Sequence, residues 1–405
     1  MADINALKHA LNNNLLQYIL TYPLFLISHY LPKNRSLWIF GSWGGVQFND
    51  NSKYMFEHVN KYCPDIRAVW LTKNNDTMQR LRAEGYECYH MYSLRGILAA
   101  LRAGAAFLSR VKAEDLPIFL SPAKTRIIQL WHGTPLKKLG RDSKVNRGLR
   151  KSRTAKAREW LRRHLFPQSG NPCAAFIVSS KEVGEIIESA YGDAIINGSV
   201  QVTGYPRNDA LFGVNDTSIQ GGMRRGIYLP TFRDAARDAS NLFQKYGFDI
   251  DIIERHFAEN NIELHIKLHP ESVLPEEFRQ KLLSGKHVKL VEFKDIYAEL
   301  GKYDFLVTDY SSVFFDYLLL DRPIIFSPFD LDDYLAMRGM YFEYDEITPG
   351  IRALNWCEVV EAIDRSLESP GEYSDARFAV NRRLNTQCDD QSCRRVTEMT
   401  RSLLH

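Results

Sequence analysis

The cysteines of this sequence do not pair for a metal: Cys63, Cys88, Cys173, Cys357, Cys388 and Cys393 stand apart, without the spacing of a zinc or iron–sulfur site. No secretory leader with a small-residue cleavage site opens the chain. Both absences point to a reducing cytoplasm. Long apolar runs are equally scarce. The nearest to one is LLQYILTYPLFLISHYL, Leu15 to Leu31, which falls short of the roughly 20 apolar residues a spanning helix needs and is interrupted by Gln17, Pro23, Ser28 and His29. It reads either as an amphipathic helix lying on a bilayer or as a segment packed on the first domain. A complete glycine fingerprint is also missing. Gly41, Gly44 and Gly45 supply a fragment of one, which argues against a dinucleotide oxidoreductase. There is no internal repeat, no low-complexity tract and little net charge, +3 in all. That total hides a local excess of cations from Lys137 to Arg163, KKLGRDSKVNRGLRKSRTAKAREWLRR, which implies a negative partner nearby or a solvated helix face.

What is present is an ordinary enzyme composition, 45% hydrophobic and 25% charged over 405 residues. That length exceeds what one core usually fills, so two domains are expected. Short β-rich runs (SLWIFG, RAVWLT, AAFLS, RIIQLW, AFIVSS) alternate with helical patterns, and a second series (GIYLPT, IELHIKLHP, HVKLVE, DFLVTD, PIIFS) begins near Gly226. Such alternation predicts parallel sheets covered by helices, an α/β chain of two Rossmann-like domains. The expected division is a helix over 1–31, a first domain over 32–205, a second over 206–374 and a returning helix over 375–405. The run VTGYPRNDALF forms the crossing.

Ligands in doubly wound sheets sit beyond the carboxyl ends of the strands. Four strand ends carry polar residues of interest. In RIIQLWHGTP, His132 stands on a sharp turn, where imidazole accepts a hydroxyl proton near neutral pH; a structural histidine bonding a carbonyl is the other reading. In IELHIKLHP, His269 precedes a proline that holds it extended, a donor for a phosphate oxygen, while His265 reads as a strand residue. In DFLVTDYSSVFFDYLLL, Thr308 and Asp309 close a strand, and Ser311 and Ser312 can cap the following helix, whose N–H groups suit a diphosphate; a plain cap is the alternative. In GIYLPTFRD, Thr231 and Arg233 follow another strand, and arginine binds phosphate through two parallel hydrogen bonds; Arg207 in GYPRND is read the same way. Asp249 with Asp251, and Asp330 with Asp332, read as solvated loop acids, so no resident metal is expected.

Together these motifs resemble the CDP-glycerol glycerophosphotransferase family of teichoic acid primases and polymerases. FGSWGGVQFNDNSKYMFEHV, QLWHGTPLKKLG, VTGYPRND, YLPTFRD, IKLHP, TDYSSVFFDYLLLDRPIIF, YFEYDEITPG and CDDQSCRRV follow in the family's order over nearly the whole chain. The resemblance implies a GT-B fold, with an acceptor domain and a CDP-donor domain flanking a cleft. It also implies metal-independent transfer of glycerol phosphate from CDP-glycerol, with no further cofactor, to a lipid-linked or polymeric acceptor on the inner face of the cell membrane. It makes His132 the base and gives His269 a catalytic role. Arg207, Thr231, Arg233, Thr308, Asp309, Ser311 and Ser312 join His269 in donor binding. Lys137, Lys138, Arg141, Arg147, Arg150 and Lys151 are candidates for anionic membrane or acceptor contact, and nucleic acid is not an expected partner. The chain departs from the family at Thr348–Ile351 and at Asp389–Asp390, and the lack of a further N-terminal domain reads as a primase or compact transferase. A CDP-ribitol transferase or a GT-B enzyme using a CMP-sugar are the rivals within the enzyme class, and a nonenzymatic polyanion-binding scaffold is the rival outside it.

Overall fold

The computed structural model describes residues 2–110 (2–15 as backbone), 112–143, 160–161, 164–169, 172–192, 200–213, 222–233, 239–269 and 271–405. The chain divides into two compact units, the first made of Met1–His132, Gly140–Arg207 and Gln391–His405, the second of Gly133–Leu139 and Asn208–Asp390.

In the first unit, β1 (Asn34–Phe40), β2 (Arg67–Thr72), β3 (Cys88–His90), β4 (Ala103–Leu108), β5 (Arg126–Gln129), β6 (Ala175–Val178) and β7 (Val200–Val202) lie parallel in the order β3-β2-β1-β4-β5-β6-β7. The register sets Phe40 beside both Trp70 and Phe107, and the Phe40 and Phe107 rings stack with centroids 4.6 Å apart. Helix α2 (Asp50–Tyr62) covers them because Met55, Phe56 and Val59 fall on one face and are fully buried. Each such side chain contributes about 1.5–3 kcal/mol. The helix Ser392–Leu404 completes this core with Cys393 and Val396.

Helix α1 (Ala2–Tyr30) belongs to the same unit. It buries Tyr18, Phe25 and Ser28, and the Ser28 hydroxyl accepts the Ser121 N–H at 3.1 Å. Leu16, Ile19, Leu20, Leu26, Ile27 and Tyr30 point outward, Leu20 being 68% and Tyr30 80% exposed. At roughly 100° per residue these six occupy one stripe about 120° wide. The segment is therefore apolar on both faces rather than amphipathic. Among the described residues, no helix is long and apolar enough to cross a membrane.

In the second unit, β8 (Arg224–Leu229), β9 (Ile262–Ile266), β10 (Val288–Leu290), β11 (Phe305–Thr308), β12 (Ile324–Phe326) and β13 (Ile351–Arg352) lie parallel in the order β10-β9-β8-β11-β12-β13. Tyr228, Phe243, Phe248, Phe257, Phe305 and Trp356 fill its core. The segment Gly133–Leu139 pairs here, with the Tyr341 N–H donating to the Leu136 carbonyl (3.0 Å) and the Lys138 N–H to the Gly339 carbonyl (3.2 Å). The stretch read from sequence as one returning helix, 375–405, is two. Helix Ser374–Leu384 stays in the second unit, where Arg377 Nε donates to Asp321 Oδ1 at 2.8 Å, and only the later helix joins the first.

Each sheet thus turns outward from two adjacent strands that wind in opposite directions, β1 and β4 in one, β8 and β11 in the other. These are the switch points where doubly wound folds take their ligands.

Candidate functional site

In the first unit the candidate base follows β5. Trp131 (φ 56°) and Gly133 (φ 113°) flank His132 in left-handed backbone, a conformation that costs Trp131 energy and survives only if neighbours hold it. They do so through consecutive carbonyls. Asn51 Nδ2 donates to the carbonyls of Leu130 and Trp131, both at 3.0 Å, and Arg207 Nη1 donates to that of His132 at 3.0 Å. The His132 ring lies against the Trp131 indole, centroids 4.1 Å apart. Its Nδ1 is 3.2 Å from the Ser109 carbonyl. A carbonyl only accepts, so Nδ1 carries the proton and Nε2 presents a lone pair. Burial lowers the His132 pKa below the ordinary histidine value; Asp50 and the Ser109 bond oppose the shift, and Arg207 and Arg110 add to it. The ring is neutral at pH 7.

Arg207, expected to hold donor phosphate, is instead 3% exposed and paired with Asp50 at 2.8 Å in this unit. The Ser109 carbonyl is itself fixed, since the N–H groups of Ser109 and Arg110 both donate to Asp115 Oδ2.

In the second unit the residues after β8 and β11 meet at the switch point. The Thr231 N–H donates to Asp309 Oδ1 at 2.8 Å. Arg233 donates to Asp309 Oδ2 through Nη2, and through Nε and Nη2 to both oxygens of Asp330, each at 2.8 Å. Its guanidinium also lies 5.0 Å from the Tyr310 ring centroid and 5.4 Å from that of Tyr334. Arg233, expected to grip phosphate, thus ties two carboxylates together. Burial pushes the Asp330 pKa up, but the Arg233 bonds outweigh it and leave the pKa below the usual carboxylate value. Thr308 is fully buried, and its hydroxyl donates to the Leu229 carbonyl at 2.7 Å, which fastens β11 to β8.

Ser311 and Ser312 precede the short helix Val313–Tyr317, and Ser312, in helical backbone, forms no side-chain cap bond. Both are partly exposed. His269 follows β9 with its ring 4.8 Å from that of Phe232, the residue between Thr231 and Arg233 in sequence. The Glu271 N–H donates to its Nδ1 at 3.2 Å, so the neutral ring bears its proton on Nε2, which is a donor. Burial lowers the His269 pKa, opposed by Glu271 and helped by Lys267. Next to it lies a cavity of about 370 Å³, lined in part by Lys267, Ser272, Arg279, Glu292 and Phe293. His265, read as a strand residue, bonds the Tyr303 hydroxyl and Glu263.

Of the basic candidates, Lys137 holds its ammonium 5.3 Å from the Tyr334 ring centroid in the second unit, Lys138 pairs with Gly339 through its backbone, and Arg141 Nη2 donates to the Glu188 carbonyl at 3.4 Å in the first unit. Arg147, Arg150 and Lys151 lie outside the described residues. Asp330, read from sequence as a solvated loop acid, is instead bound through both oxygens to Arg233, and the residues that sequence reasoning passed over are Asp50, Asn51 and Asp115. Asp50 and Asn51 open α2, ten residues beyond the end of β1, too far along the chain for the strand-end rule to pick them out.

Two parallel-sheet α/β units, each with polar residues gathered at its switch point, define a GT-B fold. The whole architecture matches that of the wall teichoic acid polymerase TagF, with a TM-score of 0.76 and 24% identity over 98% of this chain and 97% of that one. The family described as CDP-Glycerol:Poly(glycerophosphate) glycerophosphotransferase matches residues 23–401, and the chain belongs to it. Among its relatives, the teichoic acid glycerol-phosphate transferase of Staphylococcus aureus is 28% identical, with 93% of this chain and 95% of that one covered. The teichoic acid poly(glycerol phosphate) polymerase of Bacillus subtilis is 27% identical over 86% of this chain but only 46% of its own length.

Proposed function

We propose that the chain transfers glycerol phosphate from CDP-glycerol to a hydroxyl of a lipid-linked or polymeric acceptor and releases CMP, in the synthesis of a teichoic acid or capsule-like polymer. The observation that carries this reading is the fixed tautomer of His132, a neutral base with its Nε2 lone pair free of the bond to Ser109, in a chain of this family. The acceptor hydroxyl gives its proton to Nε2, its oxygen bonds the phosphorus that bears glycerol, and the bond from that phosphorus to CMP breaks with its electron pair leaving on CMP.

The second unit supplies donor binding. His269 donates through Nε2 to a diphosphate oxygen, Ser311 and Ser312 offer hydroxyls, and the adjoining cavity, with Lys267 and Arg279 on its wall, takes the nucleoside side of the donor. Transfer of a phosphoryl-type group depends mainly on positioning and on stabilisation of charge. The reading gives that work to these side chains, so turnover is expected to persist in EDTA. CMP release measured with CDP-glycerol, CDP-ribitol and CMP-sialic acid, with mass spectrometry of the product, tests the donor. Turnover of CMP-sialic acid alone rejects the reading.

The proposal includes attachment to the cytoplasmic face of an anionic membrane. Its support is the outward stripe of α1 and a chain with no acidic residue from Leu15 to Asn49. Vesicle sedimentation with and without anionic lipid, on the intact protein and on Leu20→Glu, measures it; equal binding by both proteins removes α1 from the contact.

A further inference from the structure

Resting on the reading of His132 as base, we propose that Asp50 and Asn51, locked to Arg207, are positioning residues that hold the His132 turn and set an ion pair against the carbonyl of the base. The two residues stand at the start of α2. Asn51 is fully buried, and each of its amide atoms is used. Its Nδ2 holds the carbonyls of Leu130 and Trp131, while its Oδ1 accepts the Arg207 N–H at 3.0 Å. Arg207 Nη1 then bridges Asp50 Oδ1 (2.8 Å) and the His132 carbonyl (3.0 Å). Trp43 Nε1 donates to the other Asp50 oxygen at 3.0 Å. Two neighbouring side chains, one directly and one through Arg207, thus capture three successive carbonyls ending at the base. These bonds hold Trp131 in its left-handed backbone.

Asp50 itself adopts φ 59°, which aspartate and asparagine tolerate better than other non-glycine residues. A buried carboxylate is costly to keep unless its charge is used or fully paired. Here its pair with Arg207 abuts the His132 carbonyl, and the imidazole of that residue must become cationic as it takes a proton. The charged groups that act on that ring are Asp50 from α2, Arg207 from the turn Pro206–Asn208 and Arg110 after β4; Asp50 favours the imidazolium and both arginines oppose it. A carboxylate so placed stabilises the charge that develops in the transition state.

The test uses the full chain with CDP-glycerol and pH-dependent kcat and kcat/KM. Asp50→Asn retains shape and tolerates the backbone. It should lower kcat about tenfold, less than the roughly 10²- to 10⁴-fold that the placed base itself contributes, leave KM for CDP-glycerol unchanged, and move the acid limb of kcat/KM to lower pH. Arg207→Gln removes the opposing charge and should move that limb to higher pH. Thermal unfolding of each variant checks folding, and either folded variant decides the question. An acid limb unmoved in a folded variant overturns the inference, even if kcat falls. His132→Ala is run beside them. If it retains activity, the reading of the base fails; if it is inactive while the limbs stay fixed, only the positioning role fails.

Discussion

His132 and Arg233 occupy comparable places, each just beyond a central strand, yet their surroundings give them opposite tasks. His132 keeps one nitrogen bound to a carbonyl and the other open. Replacing it by Ala should cost about 10²- to 10⁴-fold in kcat and spare donor affinity, as read by CMP release and by equilibrium binding of CDP-glycerol. Because burial sets its pKa below the ordinary histidine value, the base stays deprotonated through neutrality. The rate should fall only as pH drops below the usual histidine range. Arg233, in contrast, satisfies two carboxylates. Arg233→Ala leaves Asp309 and Asp330 facing one another, and should cost about 3–5 kcal/mol in urea unfolding, before any effect on the donor is considered.

At the scale of elements, the legible part came from period and composition. All ten strand-like runs picked out in the sequence are strands. The three missed, β3, β7 and β13, are only two or three residues long and lie towards the sheet edges, too short to show a period. His132, Thr231 and Asp309 were legible because each lies just beyond the carboxyl end of a strand, β5, β8 and β11 in turn. The fate of Arg233 was not, since its partner Asp330 lies 97 residues onward. Asp50 was hidden by the left-handed turn through Trp43, Gly44 and Gly45, which folds the loop back. The strands of the second unit carry their own test. Glu263 on β9 meets Arg225 on β8, Lys289 on β10 and His265. Burial raises its pKa, but these partners together bring it down to about 2. A carboxylate depressed in the folded state stabilises above its unfolded pKa and loses that contribution as pH falls towards the folded one. Stability should therefore decline between about pH 4.5 and 2, and Glu263→Gln should flatten that slope in pH-dependent urea unfolding.

At the scale of the molecule, the first unit is discontinuous. Its core includes Cys393 and Val396 from the last helix, and Arg126 Nε donates to the Leu403 carbonyl at 2.9 Å. Deleting residues 391–405 uncovers the apolar face of α2 and of the central strands. Calorimetry should show the first unit's transition lowered or lost while that of the second persists, and dye binding should report the exposed core.

The same helix reverses the usual order of events during synthesis, in which the N-terminal domain completes itself first. Everything the second unit needs has left the ribosome once Asp390 emerges, whereas the unit begun first waits for Gln391–His405. A nascent chain stalled before Gln391–His405 has emerged would therefore expose an open sheet in its earlier-made half and a finished domain in its later one, which marks the first as the one that chaperones must guard.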